Sequence, residues 1–166
     1  MSVTERTFSY EITKTLKDLG YFTLKIPDAH PMQDPRTGKM VRFNTQKKPF
    51  DRILDLDGKF IGIEEKIAKT GTFSLYQLRN KQAHQIDNLC DRKHGWFFIN
   101  YRYKDKEGKR INKMVILKAK AMRAAIKQGY KSIRLDFFEQ KKYKHVYARS
   151  KGVWDFPIEL LKEETT

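Results

Sequence analysis

The chain of 166 residues suits one domain of ordinary size. A formal charge of +15 predicts an anionic partner, most simply nucleic acid, and no strongly amphipathic basic helix favours a membrane surface instead. Cys90 is the only cysteine, which excludes an intramolecular disulfide and a zinc finger or ribbon.

The first 30 residues lack the apolar run of a signal peptide. No stretch approaches the roughly 18 apolar residues of a membrane span. The sequence thus predicts a soluble intracellular protein. Residues 4–19 read as a helix with Thr4 as N-cap, Phe8, Ile12, Leu16 and Leu19 at helical spacing, and Gly20 as its end. "YFTLKI" follows as a strand. Residues 27–48 hold three of the five prolines and a basic run, and form a long excursion.

"FDRILDLDGKFIGIEEKI" is the clearest hairpin, with Asp57-Gly58 as a two-residue turn. "SLYQLRNKQAHQIDNLCDRKH" reads as one helix capped by Ser74, and "GWFFINYRY" and "NKMVILKA" as strands joined by a turn. "AKAMRAAIKQG" is a short helix closed by Gly129. The tail after Lys131 mixes basic and aromatic residues and ends in a last helix. Trp154 stands between core and base stacking. The order αββ(β)αββα predicts an α/β fold, a mixed sheet flanked by helices, in a single domain over residues 1–166.

The hairpin turn sets the register. Leu56 faces Lys59, and each pair further out keeps the same sum of residue numbers, so Asp51 lies opposite Glu64. Directly opposite Cβ atoms stand roughly 4.5–5.5 Å apart on one face, and Lys66 shares that face. Like charges so placed are destabilising unless a cation lies between them. Mg²⁺ suits such a pair, because it takes few carboxylates and keeps waters for a substrate phosphate. Asp57 belongs to the turn, and Asp55 lies toward the tip. Arg36, Lys39, Arg42, Lys47 and Lys48, on or beside the excursion, are the candidate contacts to DNA phosphates.

"PFD" followed by "EEK", or Asp-x₁₂-Glu-x-Lys, resembles the PD-(D/E)XK nuclease core, with Phe50 inside the first element. "FSLYQLRNKQAHQIDNL", "KSIRLDFFE" and "PIELL" are similar to segments of Holliday-junction resolvases of the RecU type. The N-terminal helix ending in Gly20 before a strand is similar to archaeal resolvases. The resemblance covers most of residues 4–161. It implies a restriction-endonuclease-like αβββαβ core and a Mg²⁺-dependent endonuclease, with Mn²⁺ as a substitute. The substrate it implies is a four-way junction, and the assembly a homodimer. The compartment it implies is the cytoplasm of a bacterial, archaeal or phage-infected cell.

By the same resemblance, Asp51 and Glu64 hold the metal together with the backbone carbonyl of Glu65, and Lys66 aligns the attacking water. A further acid belongs on the first helix. Glu5 falls about 25° from the apolar stripe and Glu11 about 95°, which favours Glu5, while the spacing to Gly20 leaves both open. A glutamine on the next helix orients the phosphate or water. The "HQI" match selects Gln85, and a gapless match from "FSL" selects Gln82. Two rivals stand beside this reading: a nicking or restriction-like nuclease on the same core, and a non-catalytic basic nucleic-acid-binding protein.

Overall fold

The computed structural model describes residues 3–27, 32–33, 36–41, 48–91, 94–140, 146–150, 152–155 and 158–163. Helix α1 (Val3–Asp18) includes Val3, so Thr4 stands inside the first turn rather than at the N-cap. Gly20, at φ +84°, ends α1 as expected. Its N–H reaches Lys17 O at 2.9 Å and the next N–H, of Tyr21, reaches Leu16 O at 2.9 Å. That bond pair is the usual left-handed helix stop.

Strands β1 (Thr23–Lys25), β2 (Met32–Gln33) and β3 (Met40–Val41) follow. β2 and β3 pair with each other, a short ribbon within the excursion that the sequence did not announce. The predicted hairpin is β4 (Arg52–Leu56) and β5 (Lys59–Ala68). Asp57 and Gly58 have φ of 54° and 84°, the pair of positive values a type I′ turn needs.

Next come β6 (Thr72–Ser74), α2 (Tyr76–Asn80) and α3 (Ala83–Asp91). The single predicted helix is therefore two, broken at Lys81 and Gln82. Ser74 lies in β6, and its Oγ accepts the Tyr76 N–H at 3.3 Å. The chain continues through β7 (Gly95–Lys104), β8 (Arg110–Lys118), α4 (Ala119–Lys127), β9 (Ser132–Arg134) and α5 (Leu135–Gln140). It ends with β10 (Val146–Ser150), β11 (Val153–Trp154) and α6 (Glu159–Glu163).

The architecture is the expected α/β class. Among the described residues seven strands form one sheet in the order β1-β4-β5-β7-β8-β10-β11, with β6-β9 and β2-β3 as separate ribbons. β5 and β7 run parallel, joined by a crossover through α2 and α3, and the other pairs are antiparallel. Residues 95–101 of β7 are buried without a break, so both faces of this strand need a cover. Trp96 and Phe98 pack with Phe8, Ile12 and Leu16 of α1 on one face. Phe97, Ile99 and Tyr101 pack with Leu78, Leu89 and Met122 on the other. Trp154 joins the first core, edge-to-face with Phe8 at 5.9 Å, and is 2% exposed. Its role is packing, not base stacking. No helix among the described residues is long and apolar enough to cross a membrane.

Gly95 marks where α3 meets the sheet. A Cβ there would lie 2.4 Å from Leu89 O and 2.5 Å from Leu89 Cβ. Backbone atoms at the end of a helix cannot turn aside as a side chain tip can. Gly95→Ala is therefore expected to destabilise the fold by about 1–3 kcal/mol through overpacking, read as a lower urea midpoint. An unchanged midpoint would show that α3 can retreat.

Candidate functional site

β4 and β5 are unequal, and that inequality makes the site. β4 pairs with Lys59–Ile63 only, while β5 runs on to Ala68 with β7 along its other side. Every observed β4–β5 pair keeps the residue-number sum of 115 set by the turn, from Leu56↔Lys59 out to Arg52↔Ile63. Asp51 follows at the end of β4, where its N–H reaches Ile63 O at 3.1 Å and its C=O accepts the Ile26 N–H at 2.8 Å. The open edge of β5 beyond this point forms a cleft of about 380 Å³ lined by Asp51, Glu64, Lys66, Gln82 and Gln85. The two carboxylates that the hairpin register pairs thus face one space.

Their environments push them apart electrostatically. Asp51 is 7% exposed, and its Oδ2 accepts the Glu65 N–H at 2.9 Å. Lys48 Nζ lies 2.6 Å from Asp51 Oδ1, and Lys25 Nζ lies 4.0 Å from it. Burial alone would raise the Asp51 carboxyl, but the two ammonium groups and the amide outweigh it and hold the group below its ordinary range.

Glu64, 1% exposed, moves the other way. Burial first, and then the charge on Asp51, push its carboxyl up to about 7, with Lys66 offsetting only part. Glu64 Oε1 accepts from Lys66 Nζ at 2.7 Å, whereas its buried Oε2 has no hydrogen-bond partner. A proton on Glu64 can be donated to Asp51. Once Glu64 is ionised, no donor serves Oε2, and an unsatisfied buried carboxylate oxygen is costly.

Lys66 is held from three sides. Besides Glu64, its Nζ donates to Gln82 Oε1 at 2.9 Å and Gln85 Oε1 at 3.1 Å. The break between α2 and α3 lets both glutamines reach the same ammonium. Gln85 is buried and Gln82 partly so.

Glu65 alternates to the opposite face. There Arg52 Nε meets its Oε1 at 2.6 Å and Lys25 Nζ its Oε2 at 2.8 Å. The Glu65 N–H faces Asp51, and in a pleated strand the C=O of a residue points to the same edge as its N–H. The Glu65 carbonyl therefore turns to the cleft side.

Glu5 is exposed and lines the same cleft. The helical wheel expected it nearer the core than Glu11, and the burial is the reverse. Glu11 is 3% exposed and meets Arg102 Nη2 at 2.6 Å and Arg149 Nε at 3.1 Å. The first turn of α1 projects to the cleft, so its inward side opens there instead of onto the core.

Lys48, expected at DNA phosphates, turns inward to Asp51 instead. Arg36 and Lys39 are exposed between β2 and β3, whereas Arg42 and Lys47 lie outside the described residues. Lys25 had no signal in the sequence. It reaches the site because β1 pairs with β4 and sets Lys25 beside Arg52, a contact between distant segments.

No family model and no curated protein matches this chain. The chemistry of the site thus rests on its own geometry. Among the described residues no group of three or more His, Cys, Asp and Glu side chains comes together as a metal cluster. Asp51 and Glu64 are two hard oxygen donors, one carrying an orphaned oxygen, and the Lys48 ammonium on Asp51 Oδ1 would have to give way to a bound ion. That donor set fits Mg²⁺, which is held by one or two carboxylates plus waters and substrate phosphate.

Proposed function

We propose that this chain is a Mg²⁺-dependent endodeoxyribonuclease that resolves four-way DNA junctions by paired phosphodiester hydrolysis, with Mn²⁺ as a substitute. The observation that carries the reading is the buried pair Asp51 and Glu64, one step beyond the last β4–β5 pair, with the unpartnered Oε2 of Glu64. The Asp-x₁₂-Glu-x-Lys spacing, shared with PD-(D/E)XK nucleases, and the charge of +15 support it.

Asp51, Glu64 and the Glu65 carbonyl would hold the ion. When bound, Mg²⁺ polarises the phosphate and lowers the pKa of a water. Lys66, fixed by Gln82 and Gln85, would offer its charge to the developing negative oxygen and would release one of its three acceptors to donate to it. Glu5, which lines the same cleft, would assist a second metal ion or its waters. Two cuts related by two-fold symmetry call for two copies of the site, which a homodimer supplies.

The test is incubation of the full chain with labelled four-way junction and linear duplex, in Mg²⁺ and in EDTA. Symmetric paired nicks in the junction, dependent on Mg²⁺, are expected. Equal cutting of the linear duplex would make the chain a nicking or restriction-like enzyme. Binding without cutting in any divalent metal would leave a basic nucleic-acid-binding protein and end the nuclease reading.

A further inference from the structure

A second opening, of about 540 Å³, lies beside α1. Arg102 and Lys104 of β7, Arg110 and Asn112 of β8 and Arg149 of β10 line it, with Glu11 of α1. Four of these six side chains are cations, and one is an anion. The arrangement is built from the backbone upward. Arg102 and Lys104 are two apart on β7 and so share a face, and their cross-strand partners are Asn112 and Arg110.

Lys104 thus sits directly opposite Arg110. Like charges in that position repel and lower the stability of the ribbon. The buried carboxylate of Glu11 holds Arg102 and Arg149 at 2.6 and 3.1 Å and aims both at the opening. Asn112 Oδ1 accepts from Arg102 Nε at 3.3 Å and fixes the guanidinium further. Glu11 therefore neutralises one charge and orients two, and Lys104 and Arg110 are left to face the opening together.

Glu5 and Phe8 of α1 line the carboxylate cleft, whereas Thr7 and Glu11 of the same helix line this one. The two openings thus lie on adjacent faces of a single helix.

We propose that the Lys104–Arg110 opening is a phosphate-binding subsite, taking a second backbone segment of the nucleic acid that enters the carboxylate cleft. The proposal rests on the nucleic-acid part of the functional reading and not on cleavage. Both residues are exposed and neither holds Glu11, so their neutralisation leaves the buried ion pairs in place.

The full chain in EDTA is titrated with a labelled four-way DNA junction over a series of salt concentrations. Lys104→Gln with Arg110→Gln is expected to reduce the slope of log affinity against log salt by about 2, near 0.9 per lost phosphate contact. Its melting temperature should hold or rise, because the like-charge pair is gone. Lys120→Gln with Lys127→Gln removes the same charge from exposed positions on α4, and should change the slope by much less. Equal slopes for the wild-type chain and the first variant, or equal losses for the two variants, would overturn the subsite. Failure of the wild-type chain to bind would overturn it together with the nucleic-acid reading. The expected slopes without Mg²⁺-dependent cutting would uphold the subsite and overturn only the nuclease.

Discussion

Glu64→Gln is expected to stabilise the metal-free chain near pH 8 while reducing Mg²⁺-dependent cutting by about 10³-fold or more, a loss of about 4 kcal/mol in the barrier. The two effects share one cause. The Glu64 carboxyl titrates at about 7 in the fold against 4.5 ordinarily, first because it is buried and next because Asp51 is charged. An acid raised in this way binds its proton more tightly when folded than when unfolded. Stability therefore falls as pH rises from about 4.5 to about 7, and the cost is complete above that window and absent below it. The gap corresponds to a cost on the order of 3 kcal/mol.

Glutamine cannot ionise, so the variant escapes the cost. Lys66 keeps Gln82 and Gln85 as acceptors, which limits what the substitution loses. Urea unfolding without metal should show the variant ahead of the wild type near pH 8 and level with it near pH 4. Added Mg²⁺ should stabilise the wild-type chain increasingly as pH rises through about 7, since it must bind the ionised carboxylate, and should leave the variant unmoved. Asp51→Asn should behave oppositely in the absence of metal. Its carboxyl is lowered by Lys25, Lys48 and the Glu65 amide, so its charge stabilises the fold and its loss destabilises it. A Glu64→Gln chain no more stable than wild type near pH 8 would mean that Glu64 is not a strained carboxylate and has no need of a cation.

The hairpin was readable because its information is local. Asp57 and Gly58 both need positive φ, which fixes a two-residue turn, and a two-residue turn fixes every pair behind it. Asp51, Glu64 and Lys66 inherit their common face from that arithmetic. The burial of residues 95–101 was similarly legible from the apolar run Trp96–Ile99, although buried Asn100 lies outside that pattern. What was not legible came from contacts between distant segments. Lys25 matters only because β1 docks beside β4. Lys48 has the same charge whether it faces solvent or Asp51, and no periodicity distinguishes the two. Glu11 looks like a flank residue on α1 until Arg102 and Arg149 arrive from β7 and β10 to pair with it. The break at Lys81 and Gln82 carries neither Gly nor Pro, so nothing in the local sequence separates α2 from α3.

Arg52→Met is expected to destabilise the chain by about 3–5 kcal/mol, the range seen when one partner of a buried ion pair is removed. Arg52 has no exposed surface, and its volume is nearly filled by methionine, so the loss is electrostatic rather than a cavity. Its Nε pairs with Glu65 Oε1 at 2.6 Å, Nη1 donates to Thr23 Oγ1 at 3.2 Å, and Nη2 donates to Ser9 O at 2.9 Å. Removing it leaves Glu65, whose side chain is 4% exposed, with Lys25 Nζ at 2.8 Å as its cation. For a chain of this length the loss should lower the melting temperature by roughly 10 °C. Arg52→Met combined with Glu65→Met should recover most of it, because an apolar pair of similar size commonly matches a buried ion pair in stability. The same guanidinium ties α1 to β4 through Ser9, four residues after Glu5 and two before Glu11, so the single variant should also loosen the helix that walls both clefts. Thermal melts of the wild type and the two variants decide the matter. A single-variant loss below about 1 kcal/mol, the range of a solvent-screened surface pair, would show that water reaches this side chain and that the tie between α1 and β4 lies elsewhere.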